Sequence, residues 1–585
     1  MNLKRFALFA TCAFALLCGG VIRRTGEQQQ LRADYLGGIV RAQQQNFPGG
    51  GGSPAASVKL IYPTDAQYGV KADVLPYYDA SWTNGANPAV ITISATDPPF
   101  SSSLSGKSCY GNANSGANNV PVGTFTFTDA THGTCSTTAG ATATNTGQFV
   151  VCTNDEVAWE AVTTALYNSS GPAGVVAPNG GSCVTKGQLL DKRTAPIPWQ
   201  PTMFSEGFFQ WFPMPTFDFT TCNGASGNGG CFWDVNQSGM NQAALPQYSN
   251  LMNVGVNGMS GNCALSNPTG KSAFYIWRVA GQNIWVWNWC TNASAGTAIT
   301  LKPPASIWNL QVNNSGSVGI IVPGTGGNNA MAYLTNSYVG ESGTSGSQGI
   351  TIGTGSWLIS KGDYWLGCVT QCIIVAAGGF MTMDGDQING ASGNQFVDIF
   401  GTLWVYGNTQ AVATNNSGST FLTRSGGKIF IRDSLVSETG TSGVAFNINT
   451  VTGGSVINQG NVTLSAGTDQ TVLVAANVVL SAGWGTTATV TALSGSPLSN
   501  PTRFQFQANS SGTGQAANPT IAITYPGTGG TFTTPVWTCK QSGGTQTIAQ
   551  ISGENTATTT TMTLTYNGTP VAGNNVVVTC TGSLL

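Results

Sequence analysis

Charged side chains are scarce in this chain of 585 residues. Only 8% of the residues are Asp, Glu, Lys or Arg, and the formal net charge is −2. Such a chain lacks the basic surface that holds a nucleic-acid backbone, so we expect no nucleic-acid partner. The hydrophobic fraction of 41% still suffices to fill a long core, which excludes a disordered chain.

Histidine is almost absent, because His132 is the only one in the sequence. A Ser-His-Asp triad would have to use His132, which lies in the polar turn THGT outside the repeats described below. The cysteine spacings do not form two CxxC pairs, which disfavours a structural zinc site. We therefore expect neither a serine hydrolase nor a zinc protein.

No crossover helix fits between the short apolar strands in the middle of the chain. One series begins near Ser306, Ala330, Ser356, Phe380, Thr402, Lys428 and Ser455, at intervals of 22 to 27 residues. A second series begins at Gln348, Cys372, Asn394, Ser419, Val444 and Gln470, at intervals of 22 to 26 residues. Glycine-rich bends divide two strands in each period, which predicts a parallel β-helix over about residues 300 to 480. The predicted inward residues include Ile352, Ile374, Val397, Leu403 and Ile429. A leucine-rich repeat is the alternative, but its leucine and asparagine consensus is absent.

The first residues, MNLKR followed by FALFATCAFALLCGGVI, are typical of a secretory signal peptide. We expect a signal peptide over residues 1–24, with an uncleaved membrane anchor as the alternative, and a flexible linker over 25–57.

Twelve of the 14 cysteines follow the predicted signal peptide, and an even number in an exported chain predicts disulfides. The expected local pairs are Cys222 with Cys231, Cys263 with Cys290, and Cys539 with Cys580.

Three segments carry a resemblance to a known family. QYGVKAD spans Gln67 to Asp73, PFSSSLSGK lies at Pro98 to Lys107, and TNDEVAWEAVTTALYNSSGPAGVVAPNGGSCV spans Thr153 to Val184. They resemble the entry of the pectate-lyase-like β-helix proteins found among phage tailspikes and secreted polysaccharide enzymes. The resemblance implies an all-β chain with a right-handed parallel β-helix, and a polysaccharide or cell-surface glycan as its partner. TNDE replaces the family's DGxxDD run, so we transfer no function of those acids.

The same region, residues 58–196, predicts one helix. Thr153 and Glu156 form a capping-box pattern, and Val157, Ala161 and Ala165 share one face of the helix that follows. We expect this helix to cap the open sheet edge of the first coil.

Residues 197–482 predict the β-helix together with tryptophan-rich insertions. FYIWRV and IWVWNW predict a hairpin with aromatic side chains on both faces. Trp285, Trp287 and Trp289 alternate in phase, so if one of them is exposed all three are. Aromatic faces stack on sugar rings, and we predict a carbohydrate-binding site at these three residues. A packed aromatic core is the alternative.

Residues 483–585 alternate apolar and polar side chains between turns, which predicts an antiparallel β-sandwich. The module is similar to carboxy-terminal modules of phage fibre and spike proteins. That similarity implies receptor contact or trimerisation, and hence a homotrimer.

A column of acids follows the repeats. Asp363, Asp386 and Asp433 come at similar distances after their strands, with Asn408 between the last two. Coils about 4.8 Å apart would place Asp386 and Asp433 about 10 Å from each other, near the upper limit for an inverting glycosidase pair. We predict these two as a candidate catalytic pair. The alternative is a ladder of Asp and Asn side chains that bind bend amides.

Several other polar residues are secondary candidates: Glu438 and Asp384 as acids, Asp384 and Asp386 as oxygen ligands for Ca²⁺, and Arg424 or Arg432 as a base. The strings around the arginines match no lyase motif, so neither is taken as catalytic. The sequence predicts a tailspike-like appendage, secreted or virion-associated, that recognises cell-surface polysaccharide, and it leaves open whether the protein also depolymerises it. A secreted polysaccharide lyase or glycoside hydrolase and a non-enzymatic adhesin are the alternatives.

Overall fold

A computed structural model of the chain describes residues from 59 onward, with gaps. The described ranges are 59–112, 122–169, 173–188, 202–222, 229–234, 249–258, 271–289, 296–313, 318–324, 330–340, 348–366, 371–389, 397–413, 419–424, 426–439, 444–448, 455–458, 462–466, 468–469, 475–492, 503–524, 535–547, 551, 556–557 and 561–584. The predicted signal peptide and linker lie outside these ranges. Within them, no helix has the length and apolar character needed to cross a membrane.

The body is a parallel β-helix of about seven turns, as predicted. Its largest sheet, called the long sheet, has 19 strands: Lys59–Ile61, Ala173–Ala177, Gly180–Lys186, Thr202–Asp218, Ser249–Asn257, Val279–Trp287, Ala305–Asn313, Ala330–Thr335, Tyr338–Gly340, Ser356–Lys361, Tyr364–Leu366, Phe380–Asp384, Gln387–Asn389, Thr402–Tyr406, Gln410–Ala413, Lys428–Ile431, Ser434–Glu438, Ser455–Asn458 and Val462–Ala466. The second sheet has ten strands: Gly229–Asp234, Lys271–Trp277, Thr297–Lys302, Val318–Val322, Gln348–Ile352, Ile373–Val375, Val397–Ile399, Phe421–Thr423, Val444–Ile448 and Thr468–Asp469.

Most regular coils contain three strands, one more than the two distinguished in the sequence. In one coil, Ser356–Lys361 and Tyr364–Leu366 lie in the long sheet, and Ile373–Val375 lies in the second sheet. The bend between the first two contains Gly362 at φ +65°, a conformation that suits glycine. Of the predicted inward residues all but Ile374 are fully buried; Ile374 is half-buried because its neighbours on both sides face the core.

The earlier coils bend within one continuous strand of the long sheet, at an asparagine. Asn253, Asn283 and Asn309 have φ values of +55°, +52° and +56°, in the left-handed region that asparagine tolerates. Asn283 Nδ2 donates to Asn253 Oδ1 over 2.7 Å, and Asn309 Nδ2 donates to Asn283 Oδ1 over the same distance. We call these three residues the asparagine ladder. It joins successive coils by side-chain hydrogen bonds where the backbone turns.

The predicted hairpin of FYIWRV and IWVWNW is wrong. Lys271–Trp277 belongs to the second sheet and Val279–Trp287 to the long sheet, and each strand pairs in parallel with strands of neighbouring coils. Arg278, at φ +50°, forms the corner between them, and its N–H donates to the carbonyl oxygen of Pro304 in the next coil. The residues AGQN, expected as the turn, lie inside the second of these strands.

An inserted domain interrupts the entry of the β-helix. Six antiparallel strands close into a barrel: Leu75–Trp82, Ala89–Thr92, Ser108–Asn112, Val122–Phe127, His132–Cys135 and Ala143–Cys152. Its core is separate from that of the β-helix and contains Tyr77, Phe125 and Phe149. The sequence did not predict this barrel.

The one α-helix among the described residues, Glu156–Tyr167, packs on the first coils through Trp159, Val162 and Leu166. The predicted face is wrong, since Val157 is 76% exposed. The predicted capping box is also wrong. The N-cap residue is Asp155, whereas the N–H and Oγ1 of Thr153 both donate to the Asp73 carboxylate. Capping of the open sheet edge by this helix stays a prediction.

Asp155 fastens the QYGVKAD segment to the first coils instead. Its carboxylate accepts hydrogen bonds from the N–H groups of Lys71 and Ala72, at 2.9 and 3.0 Å, and from Ser182 Oγ at 2.8 Å. The motif that carried the family resemblance therefore has a structural role.

The carboxy-terminal module is antiparallel, as predicted. One sheet contains Val478–Leu480, Thr520–Thr524, Thr561–Thr565 and Thr556–Ala557, and the other contains Thr489–Ala492, Arg503–Asn509, Asn575–Leu584 and Pro535–Gly544. Both sheets contribute to one core around Trp484, Phe506, Ile521 and Met562. Short 3-10 helices occur at Ser102–Leu104, Phe219–Thr221, Ala475–Asn477 and Ala482–Trp484.

Four disulfides join described cysteines. Cys222–Cys231 and Cys539–Cys580 confirm two predicted pairs, and Cys109–Cys135 and Cys152–Cys183 are two further pairs that the sequence did not indicate. The third predicted pair, Cys263 with Cys290, lies outside the described residues.

Candidate functional site

Two of the three predicted sugar-binding tryptophans lie together on the long sheet. Trp285 and Trp287 are both half-buried, and their rings stack with centroids 5.3 Å apart and an interplanar angle of 16°. The ring centroid of Phe208 lies 4.4 Å from that of Trp285, with an interplanar angle of 43°. Among the described residues, Trp285 therefore contacts two rings and Trp287 contacts one.

Trp289 does not share their face. It is fully buried among Phe217, Phe219 and Phe232, with ring centroids 5.6 to 6.2 Å away. The alternation is broken at Asn288, which adopts φ +51° and turns the chain before Trp289. The prediction that all three tryptophans share one face is thus wrong, and Trp289 belongs to the packed aromatic core that was the alternative.

A larger aromatic surface lies on the strands of the long sheet that precede the bend. Its residues, called the outer aromatic face, are Trp308, Tyr333, Trp357, Phe380, Trp404 and Phe430. They occupy aligned or diagonal positions on neighbouring parallel strands, with Trp357 opposite Phe380 and Trp404 opposite Phe430. Alternate side chains on the same strands, such as Leu358 and Leu403, fill the core.

The four later rings of this face stack along the axis of the β-helix. Trp357 lies 5.5 Å from Trp404 at 25°, Phe380 lies 6.1 Å from Trp404 at 19°, and Phe430 lies 5.8 Å from Trp404 at 12°. These rings cover one another's faces. Trp308 and Tyr333, at the amino-terminal end of the surface, are 45% and 42% exposed. They are the two members most accessible to a ligand.

A row of polar side chains borders the outer aromatic face beside the bend. Parallel pairing aligns Trp308, Thr335, Lys361, Asp384 and Tyr406 across successive coils. The Lys361 ammonium lies 3.7 Å from Asp384 Oδ2 and remains two-thirds exposed. The row places hydrogen-bond donors and acceptors beside the exposed rings.

This surface was not predicted from the sequence, because the tryptophan cluster before residue 300 was the only aromatic candidate for sugar binding. The signal was available: Trp357, Phe380, Trp404 and Phe430 each fall within the first three residues of a repeat strand. In-phase aromatic residues on the non-core side of a repeat predict a continuous surface stripe.

The predicted acid column proves to be a ladder on the inner side of the bend. Each side chain accepts a hydrogen bond from a main-chain N–H of the preceding coil. Ser337 Oγ accepts from Leu310, Asp363 Oδ1 from Ser337, Asp386 Oδ1 from Asp363, and Thr409 Oγ1 from Asp386, at 2.6 to 3.3 Å. These contacts match the hydrogen-bonding ladder that the sequence offered as the alternative.

Asp433 is not in the register of Asp386, contrary to the prediction. Gln387 pairs with Gln410, and Gln410 pairs with Leu435, which makes Ser434 the equivalent of Asp386. Asp433 precedes it by one residue, at φ +46°, and takes the position of Gly385, because the bends from Met383 to Gln387 and from Ile431 to Leu435 have equal length. Asp386 has no exposed surface, whereas Asp433 is half-buried. Their action as a catalytic pair stays a prediction that the geometry does not favour.

The other candidate acids and bases have structural partners. Glu438 is buried and accepts from Thr420 Oγ1 at 2.7 Å, and Arg424 Nε donates to the buried Asp398 at 2.6 Å. The Arg432 guanidinium lies 5.5 Å from the Tyr406 ring centroid. Of the two proposed Ca²⁺ ligands, Asp384 forms an ion pair with Lys361 and Asp386 is buried. The described residues contain no group of three or more His, Cys, Asp or Glu side chains suited to a metal. The Ca²⁺ prediction is therefore unsupported.

Comparison with known proteins finds only distant likenesses in solved structures. No family model matches, and no curated protein matches. The A-module of a mannuronan C-5 epimerase from Azotobacter vinelandii is 11% identical, with a TM-score of 0.36, covering 54% of this chain and 94% of the other. The enzymatically active domain of tailspike protein 4 of bacteriophage CBA120 is 10% identical, with a TM-score of 0.39, covering 92% and 81%. A surface adhesin of Streptococcus pneumoniae is 12% identical, with a TM-score of 0.27, covering 55% and 90%. At these values none of them assigns a role to a residue of this chain.

Proposed function

We propose that this protein binds polysaccharide on the outer aromatic face of its β-helix. The observation that carries the proposal is the exposure of Trp308 and Tyr333 at the amino-terminal end of the outer aromatic face. Soluble proteins rarely leave a contiguous apolar surface open to water unless it binds something. Aromatic rings bordered by polar groups suit a sugar, whose C–H face packs on the ring while its hydroxyls form hydrogen bonds.

The polar row supports a glycan over a purely apolar ligand. Lys361 and Asp384 can donate to and accept from hydroxyl groups, and Thr335 lies between Trp308 and Lys361 in the aligned row. The low overall charge of the chain is also in keeping with a partner held by stacking and hydrogen bonds.

Trp285 and Trp287 form a second proposed contact surface, on the other side of the bend. Trp308 lies on the strand next to theirs, opposite Gln282, so the asparagine ladder separates the two surfaces. Because the chain changes direction at each bend of a coil, the outer surfaces before and after a bend face different directions. One rigid stretch of glycan therefore contacts one of the two surfaces at a time.

We further propose that the protein works outside the cell or on a virion, as a tailspike-like homotrimer. Four disulfides among the described residues support an oxidising location. Cleavage of the bound glycan is not part of this proposal.

The proposal is tested by measuring binding of the purified chain to a panel of capsular and cell-wall polysaccharides. Trp308→Ala and Tyr333→Ala should each weaken binding about tenfold, since a stacked ring contributes about 1.5 kcal/mol. Tyr62→Ala is the matched control, because Tyr62 is 44% exposed but lies in the first coil, outside this face. Parent-like binding by both variants, with loss in Trp287→Ala, would move the site across the bend. Absence of binding by the parent chain to every polysaccharide would refute the proposal.

A further inference from the structure

A buried hydroxyl lies between two buried carboxyl groups in the middle coils. Ser360 Oγ is 2.7 Å from Asp363 Oδ2 and 2.5 Å from Asp386 Oδ2. All three side chains have at most 1% of their surface exposed. We call Asp363, Ser360 and Asp386 the carboxyl pair with its bridging serine.

If both acids are ionised, this group has one proton for two short oxygen–oxygen contacts. A serine hydroxyl carries one proton, so it can donate to only one of the two carboxylates. The second short oxygen–oxygen contact then needs a proton on a carboxyl group. With Asp386 Oδ2 protonated, it donates to Ser360 Oγ, which in turn donates to Asp363 Oδ2; the reverse order satisfies the same contacts.

The remaining oxygens do not supply that proton. Asp363 Oδ1 accepts the N–H of Ser337, and Asp386 Oδ1 accepts the N–H of Asp363, so both already serve the bend ladder. No described hydrogen bond to either carboxyl group comes from a charged side chain.

The nearby titratable groups lie on the outer side of the same coils. Lys361 and Asp384 form an ion pair with each other. Tyr338 and Tyr364 stack on each other in the next strands, and the Arg432 guanidinium lies over the Tyr406 ring. These groups therefore do not neutralise the buried carboxyl pair, and its negative charge can be lowered only when it binds a proton. Burial raises the pKa of Asp363 to about 6, and burial followed by the charge of Asp363 raises the pKa of Asp386 well above its usual value.

We propose that the carboxyl pair and its bridging serine bind one proton that is still held at neutral pH, which makes the middle coils less stable as pH rises. This inference concerns regulation of the fold by pH and does not depend on glycan binding. The unfolded acids release their protons near pH 4, whereas the folded pair keeps one of them. Above about pH 6, where Asp363 has released its own proton, and below the pH at which Asp386 releases its proton, the folded state holds one more proton than the unfolded state. The unfolding equilibrium constant then rises about tenfold per pH unit, until the folded pair also loses its proton.

Asp386→Asn is the variant that separates this proposal from a simple packing role. The new amide can donate through Nδ2 to Ser360 Oγ, and its Oδ1 can keep the bond from the N–H of Asp363, so the contacts survive without a titrating proton. Unfolding by urea, followed by circular dichroism at pH 4 to 8, should show a weaker pH dependence in the variant, by one proton. If the parent pair stays protonated to pH 7, the relative gain of the variant between pH 4 and 7 approaches about a thousandfold.

Asp384→Asn is the matched control, because Asp384 lies two residues earlier on the outer side and pairs with Lys361. It should leave the loss of stability with rising pH in place. Infrared spectroscopy gives a direct second reading: the parent protein at pH 7 should show the carbonyl band of a buried protonated carboxyl group, absent in Asp386→Asn. A parent without that band, or an Asp386→Asn variant with the pH slope of the parent, would overturn the proposal. The parent spectrum decides the question even if the variant does not fold.

Discussion

The asparagine ladder allows a quantitative test of what holds the early coils in register. Asn283 is its central member: it donates one side-chain hydrogen bond, accepts another, and adopts φ +52°. Two substitutions separate these contributions. Asn283→Gly removes both hydrogen bonds but tolerates the left-handed conformation, whereas Asn283→Ala removes the same bonds and also strains the backbone.

The magnitudes follow from those contacts. Each hydrogen bond contributes about 1 kcal/mol net, so the glycine variant should lose about 2 kcal/mol of unfolding free energy. Alanine in the left-handed region costs about 1 to 2 kcal/mol more. The greater freedom of glycine in the unfolded chain offsets about 0.5 to 1 kcal/mol of that difference. We therefore expect the alanine variant to be the less stable of the two by about 1 kcal/mol.

Urea unfolding followed by circular dichroism measures both losses, with Gln387→Ala as the control. Gln387 is exposed on a later coil and belongs to no such ladder, so its substitution should stay within about 0.5 kcal/mol of the parent. An alanine variant at least as stable as the glycine variant would refute the backbone part of the reasoning. Parent-like stability in both variants would refute the ladder itself.

Two further predictions concern the ends of the molecule. Cys580→Ser should lower the unfolding free energy of the carboxy-terminal module by about 4 kcal/mol, because the lost bond closes a loop between residues 41 positions apart; an unchanged urea midpoint for that module, compared under non-reducing conditions, would contradict this. Asp155→Ala should cost about 3 kcal/mol, since three hydrogen bonds to Lys71, Ala72 and Ser182 are lost. Limited proteolysis should then cut near residue 71 faster than in the parent, and an unchanged cleavage rate would count against the anchoring role of Asp155.

The β-helix was predictable because its signal repeats. The strands that begin at Ala330, Ser356 and Phe380 were placed to the residue, since turn glycines and apolar runs recur with each coil. The third strand of each coil was not predicted because Tyr364–Leu366 and its equivalents are as short as three residues. Such a run is too brief to show a period of its own.

The site was harder to predict because single residues shift the register. Asn288 adopts a left-handed conformation that sends Trp289 into the core, and Asp433 lies one residue before the position that aligns with Asp386. An L-residue with positive φ leaves little trace in the sequence beyond being Asn or Asp. The inserted barrel lacked a signal for another reason: strands such as His132–Cys135 contain mostly small or polar residues.

The inserted barrel begins and ends at the same place on the β-helix. Leu75 pairs with Val151 in adjacent antiparallel strands, so the chain leaves and re-enters the coil at neighbouring points. Cys109 and Cys135 bond to each other inside the barrel, whereas Cys152 bonds to Cys183 in the β-helix. The barrel is therefore attached at a single junction: a short loop in place of residues 75–151 would leave every remaining described disulfide intact, but Phe212 and Met214 would lose their buried contact with Tyr110 and Val150.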